Sequence, residues 1–123
     1  NSIAPMLIMQ AFAEQVARSE EKKIGILSSK VGSMGDNGSG GGYIYRSSKA
    51  AVNAVIKSAS IDLEPLGINV VALHPGWVLT DMGGPHAEIT TAESAAGLCR
   101  NMNELTEADR GRFIDIDGTT IPW

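Results

Sequence analysis

The sequence predicts an α/β fold in the order helix, strand, helix, strand, helix, strand. Two short apolar runs, residues 24–29 and 68–75, have the length of buried strands. Between them lies a helical pattern over residues 43–66. A long helix that joins two such strands implies a parallel pair with a right-handed crossover. The order is that of the second half of a doubly wound parallel sheet without its first half.

The first predicted helix covers residues 3–18, where apolar side chains recur at a helical spacing, at Met6, Met9, Phe12, Ala13 and Val16. The run at 24–29 follows and ends in two serines. Residues 30–42 are dense in Gly, Ser, Asn and Asp and predict a loop. That composition is also typical of a linker between domains, but the segments on either side are each too small to fold alone.

The helical pattern at residues 43–66 is the strongest in the chain. One stripe carries residues spaced by four and three, namely Tyr45, Lys49, Val52, Ile56, Ala59 and Leu63. Other positions are expected to point away from this stripe, at Arg46, Asn53, Lys57, Ser60 and Glu64. Pro65 and Gly67 predict the end of the helix, because proline disfavours helical backbone at the residue before it.

The second strand, residues 68–75, is apolar and rich in β-branched residues, and Gly67 and Pro75 bound it. Neither of the two long strands alternates apolar with polar residues. The sheet is therefore expected to be covered on both faces.

The last third of the chain predicts one more helix and one short strand. Thr90 followed by Glu93 is a capping-box pattern at the start of a helical run over residues 90–102. A short strand is predicted at 112–116, followed by a turn at 117–118.

Composition and charge limit the classes of function. With 123 residues, 43% of them hydrophobic, the chain suits one small domain. The net charge is -4 and the 10 Lys and Arg residues are scattered, so nucleic-acid and membrane binding gain no support. One cysteine and no long apolar run favour a reducing, cytoplasmic setting. The chain starts at Asn1 with no initiator Met or leader, which predicts a fragment or a processed chain.

Polar side chains are predicted to meet at one edge of the sheet. Ser29 ends the first strand, Tyr45 and Lys49 lie in the first turns of the next helix, and Pro75 begins the loop after the second strand. Sites in open parallel sheets form outside the carboxyl ends of the strands. A lysine ammonium one helical turn from a phenol stabilises the phenolate, so Tyr45 is expected to exchange protons near neutral pH. With a serine hydroxyl to orient a carbonyl oxygen, this set fits C=O reduction or C–OH oxidation with hydride from a cofactor.

These motifs carry a family resemblance. Tyr45-Arg-Ser-Ser-Lys49, behind a serine pair and ahead of Pro75-Gly76-Trp-Val-Leu-Thr80, resembles the catalytic half of the short-chain dehydrogenase/reductase family. The Tyr-x-x-x-Lys spacing alone is weak, because ordinary surface pairs on helices share it; the two flanking motifs make it specific. The long glycine-rich gap, HPGWVLTDMGG and the terminal IPW are similar to the subgroup of Sniffer-type carbonyl reductases and bacterial C-factor signalling proteins.

The resemblance implies a Rossmann-like fold and a role for each catalytic residue. Tyr45 would be the general acid/base, and Lys49 would favour its deprotonation and hold the nicotinamide ribose hydroxyls. Ser29 is the catalytic serine because it matches the family position, whereas Ser28 is expected to face the sheet. Asn1 matches the family's active-site asparagine, which supports a water in the proton relay; a plain helix cap is the alternative.

The same resemblance implies an NADP or NAD cofactor, with NADP slightly preferred, and a small carbonyl or alcohol substrate. Pro75, Gly76, Val78 and Thr80 would hold the nicotinamide end of the cofactor, the Val78 backbone near the carboxamide and the Thr80 hydroxyl near a phosphate. The alternative for this segment is a connecting loop.

One departure from the family concerns the cofactor's other half. The family binds its pyrophosphate on a glycine-rich turn after its first strand, but the glycines at 38–42 follow the serine-bearing strand instead. Residues 1–123 are therefore expected to be a partial NAD(P)-binding domain that lacks the N-terminal dinucleotide-binding half. Alone, the chain is expected to be inactive and to leave an edge of its sheet exposed.

Three other residues with reactive side chains are interpreted as structural. His74 ends a buried strand and is expected to be a packing residue. Cys99 lies in an apolar helical stretch and is expected to be buried and inert. His86 has no second ligand at metal spacing, so no metal site is predicted.

Two functions follow from the sequence. The first is an NAD(P)-dependent carbonyl reductase of which this chain is the C-terminal part. The second is a non-catalytic signalling or interaction protein on the same scaffold, as the C-factor resemblance permits. Family members commonly pair through the two long helices, which implies a homodimer or homotetramer.

Overall fold

A computed structural model describes residues 1–123 and contains three helices and three strands in the predicted order. The helices are α1 (Ile3–Ala17), α2 (Tyr43–Asp62) and α3 (Thr91–Glu104). The strands are β1 (Lys23–Leu27), β2 (Asn69–Leu73) and β3 (Phe113–Ile114), and all pair in parallel in the order β1-β2-β3. The predicted α/β fold with a parallel sheet is confirmed.

All three strands are shorter than predicted, because the backbone pairing between neighbouring strands stops before the predicted strand ends. The last pair between β1 and β2 is Leu27 with Leu73. The Ser28 N–H still donates to the Leu73 carbonyl at 2.8 Å, but Pro75 has no N–H to extend the ladder. Both serines therefore lie just beyond the strand, at the carboxyl edge of the sheet.

Helix α2 ends at Asp62, earlier than predicted, and a 3-10 turn at Glu64–Leu66 follows it. Pro65 lies in that turn, where its missing N–H does not interrupt an α-helix. At the start of α3 the predicted capping box is present: Thr90 and Glu93 bond reciprocally. Hydrogen bonds from the Thr90 backbone and hydroxyl hold the pKa of Glu93 below its usual value.

Two clusters of buried apolar side chains cover the two faces of the sheet. The first consists of Met9, Val52, Ile56, Ile68, Val70, Ala72, Phe113 and Ile121. The second consists of Val71, Leu73, Leu105 and Ile114, with Leu98 and Met102 packed against it. Alternate residues of β2 thus point to opposite faces, with α1 and α2 on one face and α3 on the other.

The expectation that both long strands are covered on both faces is right for β2 and wrong for β1. Every residue of β2 is buried, whereas β1 is the edge strand and is only half-buried, with Leu27 53% exposed. Helix α1 is also less buried than its pattern predicts. Met9 is its only buried residue, and Phe12 is 56% exposed.

Two residues of α2 that were expected to point away from the core are buried. Asn53 and Ser60 are as inaccessible as the apolar residues of the stripe. Each forms a hydrogen bond there: Asn53 accepts from Ser28, and Ser60 donates to the Lys57 carbonyl. The buried face of α2 is thus wider than the apolar stripe, because it includes two polar residues that each form one hydrogen bond there.

Candidate active site

The site residues meet where β1 and β2 end. The segment after β1 forms a 3-10 turn at Lys30–Gly32, which packs directly on the first half of α2. At Gly32 an added Cβ would lie 2.7 Å from Lys49 Cβ, so only glycine allows this approach. The turn therefore holds the end of β1 against α2.

The two serines after β1 have different surroundings. Ser28 is buried, and its Oγ donates to Asn53 Oδ1 at 2.5 Å. Ser29 is partly exposed, with extended backbone, and its hydroxyl has no hydrogen-bond partner within the chain. Of the pair, Ser29 is the one whose hydroxyl is free to bind a ligand.

Tyr45 and Lys49 lie one turn apart on α2, beside the end of β1. The Lys49 ammonium donates to the Leu27 carbonyl at 3.4 Å, and no carboxylate pairs with it. Its partial burial lowers the pKa of Lys49. Tyr45 is 43% exposed and its hydroxyl has no hydrogen-bond partner within the chain, and the nearby Tyr43 is 84% exposed.

Asn1 lies next to the same turn of α2. Its Nδ2 donates to Ser48 Oγ at 2.9 Å, and Ser48 Oγ donates to the Tyr45 carbonyl at 2.9 Å. The N-cap position of α1 is Ser2. Asn1 therefore does not cap α1, and its side chain connects to the turn that carries Tyr45.

The loop after β2 is fixed by its own hydrogen bonds. The Pro75 carbonyl accepts from Ser94 Oγ of α3 at 2.7 Å. Gly76 has φ +82°, and an added Cβ would lie 2.6 Å from Ile89, which closes against it. The Thr80 hydroxyl accepts from the Gly83 N–H at 3.0 Å, and Val78 pairs with Ile89 in an isolated bridge. The loop is thus an ordered wall at the rim of the site.

His74 has the surroundings that were expected for it, whereas Cys99 does not. His74 Nδ1 accepts from the Lys30 N–H at 3.3 Å, as expected for a packing residue. Burial lowers the pKa of His74, although the Asp115 carboxylate opposes this. The expectation that Cys99 is buried was wrong: its side chain is exposed, because its face of α3 points away from the sheet. No group of three His, Cys, Asp or Glu side chains could hold a metal ion.

Sequence comparison assigns the family. The family model described as short chain dehydrogenase matches residues 1–90 of the chain. The chain belongs to the short-chain dehydrogenase family.

Two relatives match the chain over its whole length. C-signal from Myxococcus xanthus is 40% identical over 123 residues, which are 100% of this chain and 74% of the relative. The 1-hydroxy-2-glutathionyl-2-methyl-3-butene dehydrogenase from Rhodococcus sp. (strain AD45) is 43% identical over 127 residues, covering 100% of this chain and 55% of the relative. The chain thus spans about half the length of the dehydrogenase and a larger share of C-signal.

Solved structures confirm the Rossmann-like fold of the chain. The carbonyl reductase Sniffer of D. melanogaster matches with a TM-score of 0.92 and 37% identity, over 99% of this chain and 54% of that one. The NADPH-bound carbonyl reductase from chicken fatty liver matches with a TM-score of 0.91 and 36% identity, over 100% of this chain and 54% of that one. None of the helices combines the length and hydropathy needed to cross a membrane.

Two side chains that form hydrogen bonds between α2 and the segment after β1 were not among the site residues predicted from the sequence. Asn53 was expected to point away from the core, yet it bonds to Ser28. Arg46 donates to the Val31 carbonyl at 3.0 Å and to Ser39 Oγ at 2.9 Å, which ties the glycine-rich loop to α2. Both lie on α2 within about one turn of Lys49, but their hydrogen-bond partners belong to another segment, which the sequence pattern of α2 does not report.

Proposed function

We propose that residues 1–123 are the catalytic half of an NAD(P)-dependent carbonyl reductase, acting on a small carbonyl or on the corresponding alcohol. The observation that carries the proposal is the free Ser29 hydroxyl at the strand end, beside the turn of α2 that presents Tyr45 and Lys49. Family membership and the carbonyl reductases among the structural neighbours support the reaction class.

The proposed mechanism assigns one task to each side chain. NAD(P)H, when bound, supplies the hydride to the carbonyl carbon. Tyr45 donates its phenolic proton to the carbonyl oxygen, and Ser29 donates a hydrogen bond to the same oxygen as charge develops on it. Lys49 stabilises the resulting phenolate by its positive charge. Asn1 would orient a water that passes a proton from solvent to the Tyr45 phenolate.

The donors present fit the nicotinamide half of the cofactor. Lys49 has an ammonium without a carboxylate partner, which suits ribose hydroxyls. The ordered loop from Pro75 to Thr80, with Gly76 and Val78 inside it, forms the adjoining wall. By contrast, an added Cβ at Gly40 or Gly41 would meet nothing within 4 Å, so the glycine-rich loop does not pack closely against another part of the chain at these positions.

The adenine half of the cofactor would be bound by a part of the protein outside residues 1–123. This agrees with the length of the relatives, of which the chain spans about half in the dehydrogenase and carbonyl reductase matches. We therefore assign residues 1–123 to the C-terminal half of a longer cytoplasmic protein, a setting that its single cysteine also fits. NADP is preferred to NAD because several structural neighbours were solved with NADP or NADPH.

Ser29→Ala is expected to lower kcat for aldehyde reduction by the full-length protein by about 10²-fold, because it removes a donor to the developing oxyanion. NADPH consumption at 340 nm measures the rate. The melting temperature of the Ser29→Ala variant should equal that of wild type, since the Ser29 hydroxyl has no hydrogen-bond partner in the chain. Ser47→Ala, an exposed serine of α2, is the matched control and should keep the full rate. A Ser29→Ala enzyme at wild-type rate would contradict the serine's role.

A second candidate is a non-catalytic signalling or interaction protein. Its support is the C-signal relative, which aligns with the whole of this chain. This chain makes up 74% of C-signal but 55% of the Rhodococcus dehydrogenase, so C-signal is the shorter protein. A relative with less sequence outside the shared region is compatible with a role that does not need the complete cofactor site.

We also propose that the full-length protein forms a homodimer through α1 and α2. A groove of about 540 Å³ runs between these helices, lined mainly by apolar residues. Its walls are Met6, Met9, Gln10, Ala13, Ala54, Val55, Ser58, Ala59, Asp62 and Leu63. Apolar surface of this size on two adjacent helices favours a protein partner, and a second copy would cover it by isologous pairing, with a homotetramer as the larger assembly.

Met6→Glu is expected to convert the full-length protein to monomers, because it places a carboxylate in the apolar groove. Light scattering after size exclusion measures the mass. Gln15→Glu is the control: Gln15 is an exposed polar residue of α1 that lies outside the groove, so that variant should remain dimeric. Equal masses for the two variants would overturn the proposed interface.

A further inference from the structure

A buried hydrogen bond connects the strand end to the catalytic helix. Ser28 Oγ donates to Asn53 Oδ1 at 2.5 Å, and both residues are at least 95% inaccessible. Ser28 is the residue before Ser29, and Asn53 is one helical turn after Lys49. Each partner of the bond is therefore next to a residue of the proposed catalytic set, either in sequence or one helical turn away.

Other contacts join the same two segments. The Leu27 carbonyl accepts from Lys49 Nζ, and the Val31 carbonyl accepts from Arg46. Gly32 packs against the Lys49 backbone, where an added Cβ would lie 2.8 Å from the Lys49 carbonyl carbon. The Ser28 and Asn53 bond is the only side-chain to side-chain hydrogen bond between these two segments and the only one that is buried.

Asn53 is not a good choice for stability alone. Its Nδ2 is buried without any hydrogen-bond partner. A buried unpaired amide is unfavourable, and an apolar side chain of similar size would pack there without that cost. Buried polar groups kept at a cost to stability often have a functional reason, and the only partner of Asn53 is the serine next to Ser29.

We propose that Ser28 and Asn53 are positioning residues that fix the Ser29 hydroxyl relative to Tyr45. The inference rests on the proposed carbonyl reductase function and adds a division of labour: Ser29 contacts the substrate, and Ser28 holds the strand end against α2. Such a link matters because a displacement of about 1 Å in a reacting group can cost about 10²-fold in rate.

The test uses four variants of the full-length protein: Ser28→Ala, Asn53→Leu, the double variant, and Ser60→Ala as control. Either single change leaves a buried polar group unpaired and should lower the melting temperature. The double variant replaces both partners by apolar groups, so its melting temperature should return to the wild-type value. Ser60 is buried on α2 like Asn53 but bonds only to the Lys57 carbonyl, so Ser60→Ala should keep the wild-type kcat.

The double variant separates positioning from stability. We expect its kcat for aldehyde reduction to remain at least about tenfold below wild type, while KM for NADPH changes less than about twofold. In crystals, its distance between Ser29 Oγ and Tyr45 Oη should differ from wild type by about 0.5 Å or more. Wild-type kcat or an unchanged distance in the double variant would overturn the inference.

The proposed function and this inference fail in different ways. If the full-length protein reduces no test carbonyl and Tyr45→Phe changes nothing, the proposed function is wrong, and the distance in crystals still decides whether Asn53 positions Ser29. If the enzyme is active and Tyr45→Phe is not, but the double variant turns over at the wild-type rate, only the positioning role is wrong.

Discussion

Tyr45→Phe is expected to abolish carbonyl-dependent NADPH oxidation by the full-length protein. The substitution removes only the phenolic hydroxyl, and with it the proton that the carbonyl oxygen must receive. General acid catalysis contributes about 10²- to 10⁴-fold, so kcat should fall by at least that range. The partly exposed Tyr45 hydroxyl has no partner within the chain, so stability should not change. Absorbance at 340 nm with a panel of aldehydes and ketones measures the rate.

Tyr43→Phe is the matched control for this prediction. Tyr43 is two residues away, is 84% exposed and has no lysine four residues after it. The control should keep the wild-type rate and NADPH affinity. Undiminished turnover in Tyr45→Phe would exclude Tyr45 as the acid. If the wild-type protein shows no turnover with any carbonyl, and Tyr45→Phe retains the same signalling activity as wild type, the signalling function is favoured.

The order of helices and strands could be predicted because capping and turn-forming residues lie at the ends of these elements. Thr90 and Glu93 predicted the start of α3, and the capping box they form is present. The location of the candidate site was also predictable. In a parallel sheet the residues that follow successive strands share one edge, so Ser29 and Pro75 had to lie close together.

The surroundings of individual side chains were less predictable. Asn53 is polar, and its position on the helix predicts exposure unless a partner from another segment is known. That partner, Ser28, is 25 residues away in sequence. For Cys99 the error was the opposite: its apolar neighbours predicted burial, but it is exposed. Small residues such as Gly97 form the buried face of α3, and a Cβ added at Gly97 would lie 2.7 Å from Ile116. Tertiary packing decides both cases.

The exposure of a strand depends on whether it has neighbouring strands on both sides, and the composition of the strand does not show this. β1 and β2 are both apolar runs, yet only β2 has neighbours on both sides. The outer edge of β1 therefore has backbone N–H and C=O groups without strand partners. This edge leads to the prediction with the largest expected effect on stability.

Residues 1–123 alone are expected to show no cooperative thermal transition. Their accessible surface is 7268 Å², whereas a compact monomer of 12.9 kDa would expose about 6,300 Å² by the usual scaling. Much of the excess is apolar and lies on α1 and β1, at Ile3, Leu7, Ile8, Phe12 and Leu27. Because that apolar surface is left uncovered, we expect the apolar burial not to offset the loss of chain entropy. Scanning calorimetry measures the transition.

The same residues within the full-length protein should melt in one sharp transition, because additional strands would pair with β1. A second copy bound in the α1 and α2 groove would cover part of the same excess surface, but by mass action its effect must grow with protein concentration. Melts of residues 1–123 over a hundredfold concentration range therefore separate the two causes. A sharp transition that is independent of concentration would show that three strands suffice and that the open edge of β1 costs little.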